Sequence, residues 1–267
     1  MRLRLLLSCC ALWALAGCTR EAPEVSAPLM PQVRQRLAER DAKLTSYRLA
    51  GTVKDEGQEA VAFTFDYRAP QRMRGSLGTP AVRTFAWDGT RLFEQQHTQK
   101  RFTTFASELP PAKLAGFLAE TFGPLTPEGF RAPLLTSAAT ARRASHPRAP
   151  QAVELVQKVE DGAGALELVY VLRWPALDFL GKRTRAPDGT EAEVRVEDEH
   201  CEEAAGLCVP KRLTRWLGGR QVGETVLSRV ELNAAVPNDT FTLPAPEGYE
   251  VQTRTLVEAA PPPPTGG

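Results

Sequence analysis

The chain is poor in histidine, in long apolar runs and in net charge. Three histidines among 267 residues leave few candidates for a general base or an imidazole metal ligand. His97, His146 and His200 stand apart in polar segments and read as surface side chains. No stretch reaches the roughly 20 apolar residues of a membrane-spanning helix. Lys and Arg total 33 against 32 Asp and Glu, so no bulk field exists to gather nucleic acid, and that partner is not expected. None of G-x-S-x-G, H-E-x-x-H, G-x-G-x-x-G or G-x-x-x-x-G-K-[ST] occurs. We therefore expect no catalytic residue, no cofactor and no metal, and a protein that is not an enzyme. The acidic run Glu193, Glu197, Asp198, Glu199, Glu202 and Glu203 lacks the spaced Asp/Asn-Gly loop of a calcium site and reads as a solvated hairpin arm. What the chain has is 42% hydrophobic residues, enough for a packed core and too many for a wholly disordered chain.

The N-terminus carries the most specific signal. Arg2 and Arg4 form a basic region, and Leu5 to Ala16 form an uncharged apolar run too short to span about 30 Å of hydrocarbon. The run ends in Leu15-Ala16-Gly17-Cys18. This resembles the lipobox of bacterial lipoproteins. The resemblance implies removal of residues 1–17, with a diacylglycerol on the sulfur of Cys18 and a fatty acid on its amine. An ordinary secretory leader with a chance cysteine is the other reading. Without residues 1–17 the balance is 31 basic to 32 acidic residues. Two or more acyl chains, at about 0.8 kcal/mol per buried CH₂, anchor a protein almost permanently. Thr19, where an Asp would signal inner-membrane retention in enterobacteria, implies the periplasmic face of the outer membrane.

The other cysteines follow from that location. Cys9 and Cys10 would leave with the leader, and Cys201 and Cys208 remain in an oxidising compartment. They flank Glu-Glu-Ala-Ala-Gly-Leu between two strand-like runs, which favours a disulfide across a hairpin mouth. The rival is a metal site of His200, Cys201 and Cys208, three ligands with no nearby fourth.

Residues 18–28 read as a flexible tether from Cys18, 29–257 as one folded domain, and the tail 258–267, with Pro261 to Pro264, as disordered. Leu29, Val33, Leu37 and Leu44 mark one face of an opening helix. The period then changes to two. Leu49–Val53, Val61–Tyr67, Arg72–Leu77, Ala81–Trp87 and Arg91–Gln96 read as strands, with a turn at Asp88-Gly89-Thr90. Leu114, Phe117, Leu118 and Phe122 sit at i, i+3, i+4 and i+8, a helical stripe stopped by Gly123-Pro124. Residues 131–150, basic and without acid, read as a surface connection with room for a short helix. Strand periodicity resumes at Val153–Val159, Leu166–Leu172, Glu191–Glu199, Val209–Leu217 and Val222–Leu232, with a last short strand at Phe241–Leu243. About ten strands and two helices are expected.

This order resembles the LolA/LolB superfamily of lipoprotein carriers and receptors. Four segments carry the resemblance. They are Tyr47-Arg48-Leu49-Ala50-Gly51-Thr52-Val53 after the helix, the Phe65–Arg74 step through Ala69-Pro70, the hairpin Trp87-Asp88-Gly89-Thr90-Arg91-Leu92-Phe93, and the closing run Phe241–Val251. The resemblance implies an α+β fold, a strongly curved antiparallel half barrel with helices on its concave face. It also implies a space for acyl chains of a lipid or lipoprotein, for carriage or insertion at the outer membrane. A relative that senses envelope stress makes a protein partner the alternative. The Cys201–Cys208 loop and the 131–150 segment are not hallmarks of the carriers. Candidates to line the cavity are Phe63, Phe65, Phe85, Trp87, Phe93, Leu114, Phe117, Leu118 and Phe122; the aromatics fit a dry core equally well.

Overall fold

The computed structural model describes residues 28–161 and 164–257. The expected leader, the lipidation site Cys18, the tether up to residue 27 and the tail 258–267 lie outside the described residues.

Helix α1 (Leu29–Lys43) buries Val33, Leu37 and Arg40. A six-strand meander follows: β1 (Ser46–Asp55), β2 (Val61–Arg68), β3 (Arg72–Leu77), β4 (Arg83–Trp87), β5 (Arg91–Gln96) and β6 (Arg101–Ser107). Helix α2 (Pro111–Phe122) opens on a proline, which suits the first turn because its missing N–H would have no partner there. It runs into a 3₁₀ turn, Gly123–Leu125. A second meander holds β7 (Thr140–His146), β8 (Ala149–Asp161), β9 (Gly164–Arg173), β10 (Phe179–Arg185), β11 (Glu191–Glu202), β12 (Leu207–Leu217) and β13 (Arg220–Leu232). A 3₁₀ turn at Asn238–Phe241 precedes β14 (Glu250–Leu256).

The strands form one open, curled sheet in the order β14-β6-β5-β4-β3-β2-β1-β13-β12-β11-β10-β9-β8-β7. Neighbours within each meander are consecutive in sequence, because short turns join antiparallel strands. Two joins are not. β1 pairs with β13 in an antiparallel seam between the meanders, and β14 lies parallel to β6. At the seam the register shifts between Ala50 and Gly51. A Cβ on Gly51 would lie 2.3 Å from the Val226 carbonyl oxygen, so the close approach of the two meanders requires glycine there.

Both helices lie on one face, termed the inner face. α2 and the turn after it cover the first meander: Leu118, Phe122 and Leu125 pack on Leu49, Phe63, Phe65, Phe85, Trp87 and Leu92. α1 covers the second: Val33 and Leu37 pack on Val153, Leu155, Leu172, Val196 and Leu213. On the outer face, Leu243 and Tyr249 cover Ala86, Phe93 and Phe102 as the chain crosses to β14. β5 is thus buried on both sides, which explains its run of buried residues from Leu92 to Gln95.

The α+β class agrees with the sequence reading, but about ten strands was too few; the described residues form fourteen. Residues 140–146, read as part of a surface connection, form the edge strand β7. Its arginines face solvent, and its part-buried residues are only His146, Ala141, which packs beneath α1, and Ala144, which packs on the opposite face, so the alternation carries little hydrophobic contrast. β10 escapes notice because Phe179, Leu180 and Gly181 are all buried before the alternation begins. β6 and β14 are rich in Thr and Arg. The short strand expected at Phe241–Leu243 is instead the end of a 3₁₀ turn and a loop.

Candidate functional site

Cross-strand register aligns one row of inner-face side chains over six strands: Tyr47, Tyr67, Met73, Trp87, Leu92 and Phe105. A second row holds Leu49, Phe65, Gly75 and Phe85. α2 lies across both. Phe122 meets Phe65 and Phe85 edge-on, with centroids 6.1 and 6.2 Å apart. Gly75 leaves the space that Leu125 fills, since a Cβ there would lie 2.3 Å from Leu125 Cδ1. Tyr47 stacks on Tyr67 at 4.8 Å, and burial pushes both phenols above their ordinary range. Around this filled centre lie half-buried apolar side chains: Leu114 and Phe117 on α2, and Met73, Leu77 and Phe105 on the sheet.

One polar atom inside the cluster has no partner. Trp87 is 3% exposed, and its indole Nε1 makes no hydrogen bond. A buried donor left this way costs about 1–3 kcal/mol. Two arginines beside the cluster are, by contrast, satisfied. Arg83 pairs with buried Glu94 at 2.5 Å and lies over the Phe85 ring at 4.3 Å. Arg131 donates to the Tyr67 hydroxyl at 2.7 Å and pairs with Asp41 at 3.2 Å.

Of the candidates read from sequence, Phe63, Phe65, Phe85, Trp87, Leu118 and Phe122 meet in this one cluster, with Leu114 and Phe117 on its margin. Phe93 does not join them; it stacks on Phe102 on the outer face, 6.4 Å between centroids. Cys201 and Cys208 face each other across the β11–β12 hairpin and are joined as a disulfide.

The sequence reading missed a buried polar joint that ties α1 to the neighbouring loops and β12. Arg40 and Asp178, each 4% exposed in the side chain, pair at 3.9 Å. Arg40 also donates to the carbonyls of Gly129, Phe130 and Cys208, and Asp178 accepts from the Cys208 N–H at 3.1 Å. Burial lowers the Arg40 pKa and the Asp178 carboxylate opposes that shift. Arg173 extends the joint, bonding Asp178 at 3.1 Å and Glu199 at 2.7 Å. A signal was present: Arg40 continues the apolar stripe Val33, Leu37, Leu44, at seven residues after Val33.

Two clefts lie elsewhere. One, of about 630 Å³, is lined by Thr45, Arg68, Asn233 and Val236; the other, about 290 Å³, by Arg142, Glu167, Arg183 and Arg185. Both are polar or open, and neither includes a residue of the row beneath α2. Among the described residues no helix is long and apolar enough to cross a membrane.

No protein-family model and no curated protein matches the sequence. Solved structures do match. A domain assigned to outer membrane lipoprotein sorting, from Vibrio parahaemolyticus, is similar over 79% of this chain and 96% of its own, with a TM-score of 0.53 and 8% identity. The chain has a LolA-like fold. A DUF1329 family protein from Desulfovibrio piger shares it over 81% of this chain and 98% of its own, with a TM-score of 0.55 and 8% identity. At such identities the likeness of this chain to these structures is one of fold.

Proposed function

We propose that this protein is a non-enzymatic envelope lipoprotein that binds acyl chains of a lipid or lipoprotein between α2 and the inner face, for carriage or insertion at the outer membrane. Lipidated Cys18 anchors it to the membrane's periplasmic face. One observation carries the reading: α2 rests on an aromatic row through Leu114, Phe117, Leu118 and Phe122, and the rim of that contact is apolar and half-exposed. Apolar contacts have no directional demand, so an acyl chain can take the place of the helix's side chains on the same surface. Burying a sixteen-carbon chain contributes on the order of 12 kcal/mol before association costs, enough to offset lifting one amphipathic helix. Passing the chain to a similar site elsewhere exchanges like for like, so no nucleotide is required.

Phe117→Lys tests this. It places a charge where acyl chain would lie, which hydrocarbon does not solvate. Binding of a fluorescent fatty acid should fall at least tenfold while the melting temperature falls only slightly, because Phe117 is already half-exposed. A variant that unfolds, or that binds the fatty acid as well as the parent does, would overturn the proposal.

A further inference from the structure

Among the described residues, four side chains carry a buried nitrogen or oxygen with no hydrogen-bond partner: Arg40, Trp87, Glu128 and Glu199. Three of them bond through another atom. Arg40 reaches Gly129 and Cys208, Glu128 accepts from Lys182, and Glu199 accepts from Arg173. An indole has a single polar atom, so Trp87 has no hydrogen bond at all. Its neighbours across the strands are Met73 and Leu92, and it shares the cluster with Leu118 and Phe122 of α2. A phenyl ring would fill an apolar core at this position without burying an unpaired donor. The contrast with Trp216 is direct, for its indole donates to Thr214 Oγ1 at 2.9 Å.

Building on the acyl-chain reading above, we infer that Trp87 is a specificity residue whose indole N–H donates to the ester carbonyl of an esterified acyl chain. An ester places a neutral acceptor at the head of the hydrocarbon it carries, so one donor set in an apolar surface meets its need without a buried charge. An ether-linked chain has the same apolar length but no carbonyl. The site therefore selects O-acylated glycerol, as found on diacylated lipids and lipopeptides, over alkyl chains of equal size.

The test uses the full chain carrying Cys18→Ser, so that its own lipid does not compete and no detergent is needed. The probes are a lipopeptide with two ester-linked palmitoyl chains and its dialkyl ether analogue. The ester probe should bind about tenfold more tightly, the worth of one hydrogen bond to a buried donor. Trp87→Phe should bring the ester probe down to the ether level and leave the ether probe unchanged. In the parent chain the Trp87 indole ¹H–¹⁵N resonance should move downfield with the ester probe and not with the ether. That readout decides the matter if Trp87→Phe fails to fold. Equal affinity for the two probes, or the same indole response to both, overturns the role of Trp87 and leaves the acyl-chain site standing. Binding of neither probe removes both readings.

Discussion

The two meanders share one inner face and are covered in different ways. Beneath α2 the surface is aromatic: Tyr47, Phe65, Tyr67, Phe85, Trp87, with Phe122 above. Beneath α1 it is mainly aliphatic: Val153, Leu155, Leu172, Val196, Leu213, with Val33 and Leu37 above. The helices also differ in polar attachment. α1 is tied by Arg40 to three carbonyls and Asp178, by Asp41 to Arg131, and by Arg34 to the carbonyl of Thr136 at 2.6 Å. α2 meets the sheet through its apolar stripe. Directional bonds in a buried setting admit one arrangement, because any displacement strands a charge or a donor. Apolar contacts tolerate exchange. The same fold thus presents one locked half and one half whose cover can be traded for another apolar body.

The largest test of that contrast is Asp178→Ala. It leaves Arg40 buried without its carboxylate and the Cys208 N–H without its acceptor, and chemical denaturation should record a loss of about 3–5 kcal/mol. A loss below about 1 kcal/mol, the worth of an exposed pair, would mean that α1 is not locked. Next is the disulfide, in the locked half. Replacing both Cys201 and Cys208 by Ala should cost about 2.5 kcal/mol, since a short loop closes little chain entropy. Stability equal to the parent would separate the hairpin from the lock. Gly51→Ala addresses the seam. Its Cβ meets backbone at Val226 rather than a movable side chain, so a loss of about 1–3 kcal/mol is expected. A single unfolding transition by both near- and far-ultraviolet circular dichroism would show that the halves still melt together; two transitions would divide them.

The smallest effect is expected at the far edge. Burial, then the charges of Arg148 and Arg173, hold the His146 imidazole below its usual pKa of 6.5. Its Nδ1 accepts the Arg148 backbone N–H at 3.2 Å, which only the unprotonated nitrogen can do. The unfolded chain therefore takes up the proton more readily. Stability from this group is complete above about pH 6.5 and declines as pH falls through that value toward the lower folded pKa. His146→Gln should flatten this part of the pH–stability curve, and an unchanged slope in the variant would remove His146 from the account.

Much of the local structure was legible. Val61, Phe63, Phe65 and Tyr67 repeat every two residues, and Leu114, Phe117, Leu118 and Phe122 follow a helical period, so β2 and α2 stand where the pattern places them. The cysteine pair marked a hairpin end because the residues between them are polar and small. A fold class could be inferred from the order of such segments. The candidate aromatics were legible as apolar, but their grouping was not. Phe93 alternates as regularly as its neighbours, and only the crossing of Leu243 over the outer face shows why a large aromatic can point away from α2.

Local periodicity alone determined roughly where most strands and both helices lie, though not their ends, because burying one face of a strand or helix dictates spacing within a few residues. The tertiary structure decided that β1 meets β13, that β14 runs parallel beside β6, that Arg40 is buried, and that Trp87 has no partner. Each of these depends on groups far apart in sequence, 168 residues in the case of Arg40 and Cys208. A pattern of local spacing carries no record of which distant backbone will arrive to pair with an edge, accept a guanidinium, or leave an indole alone.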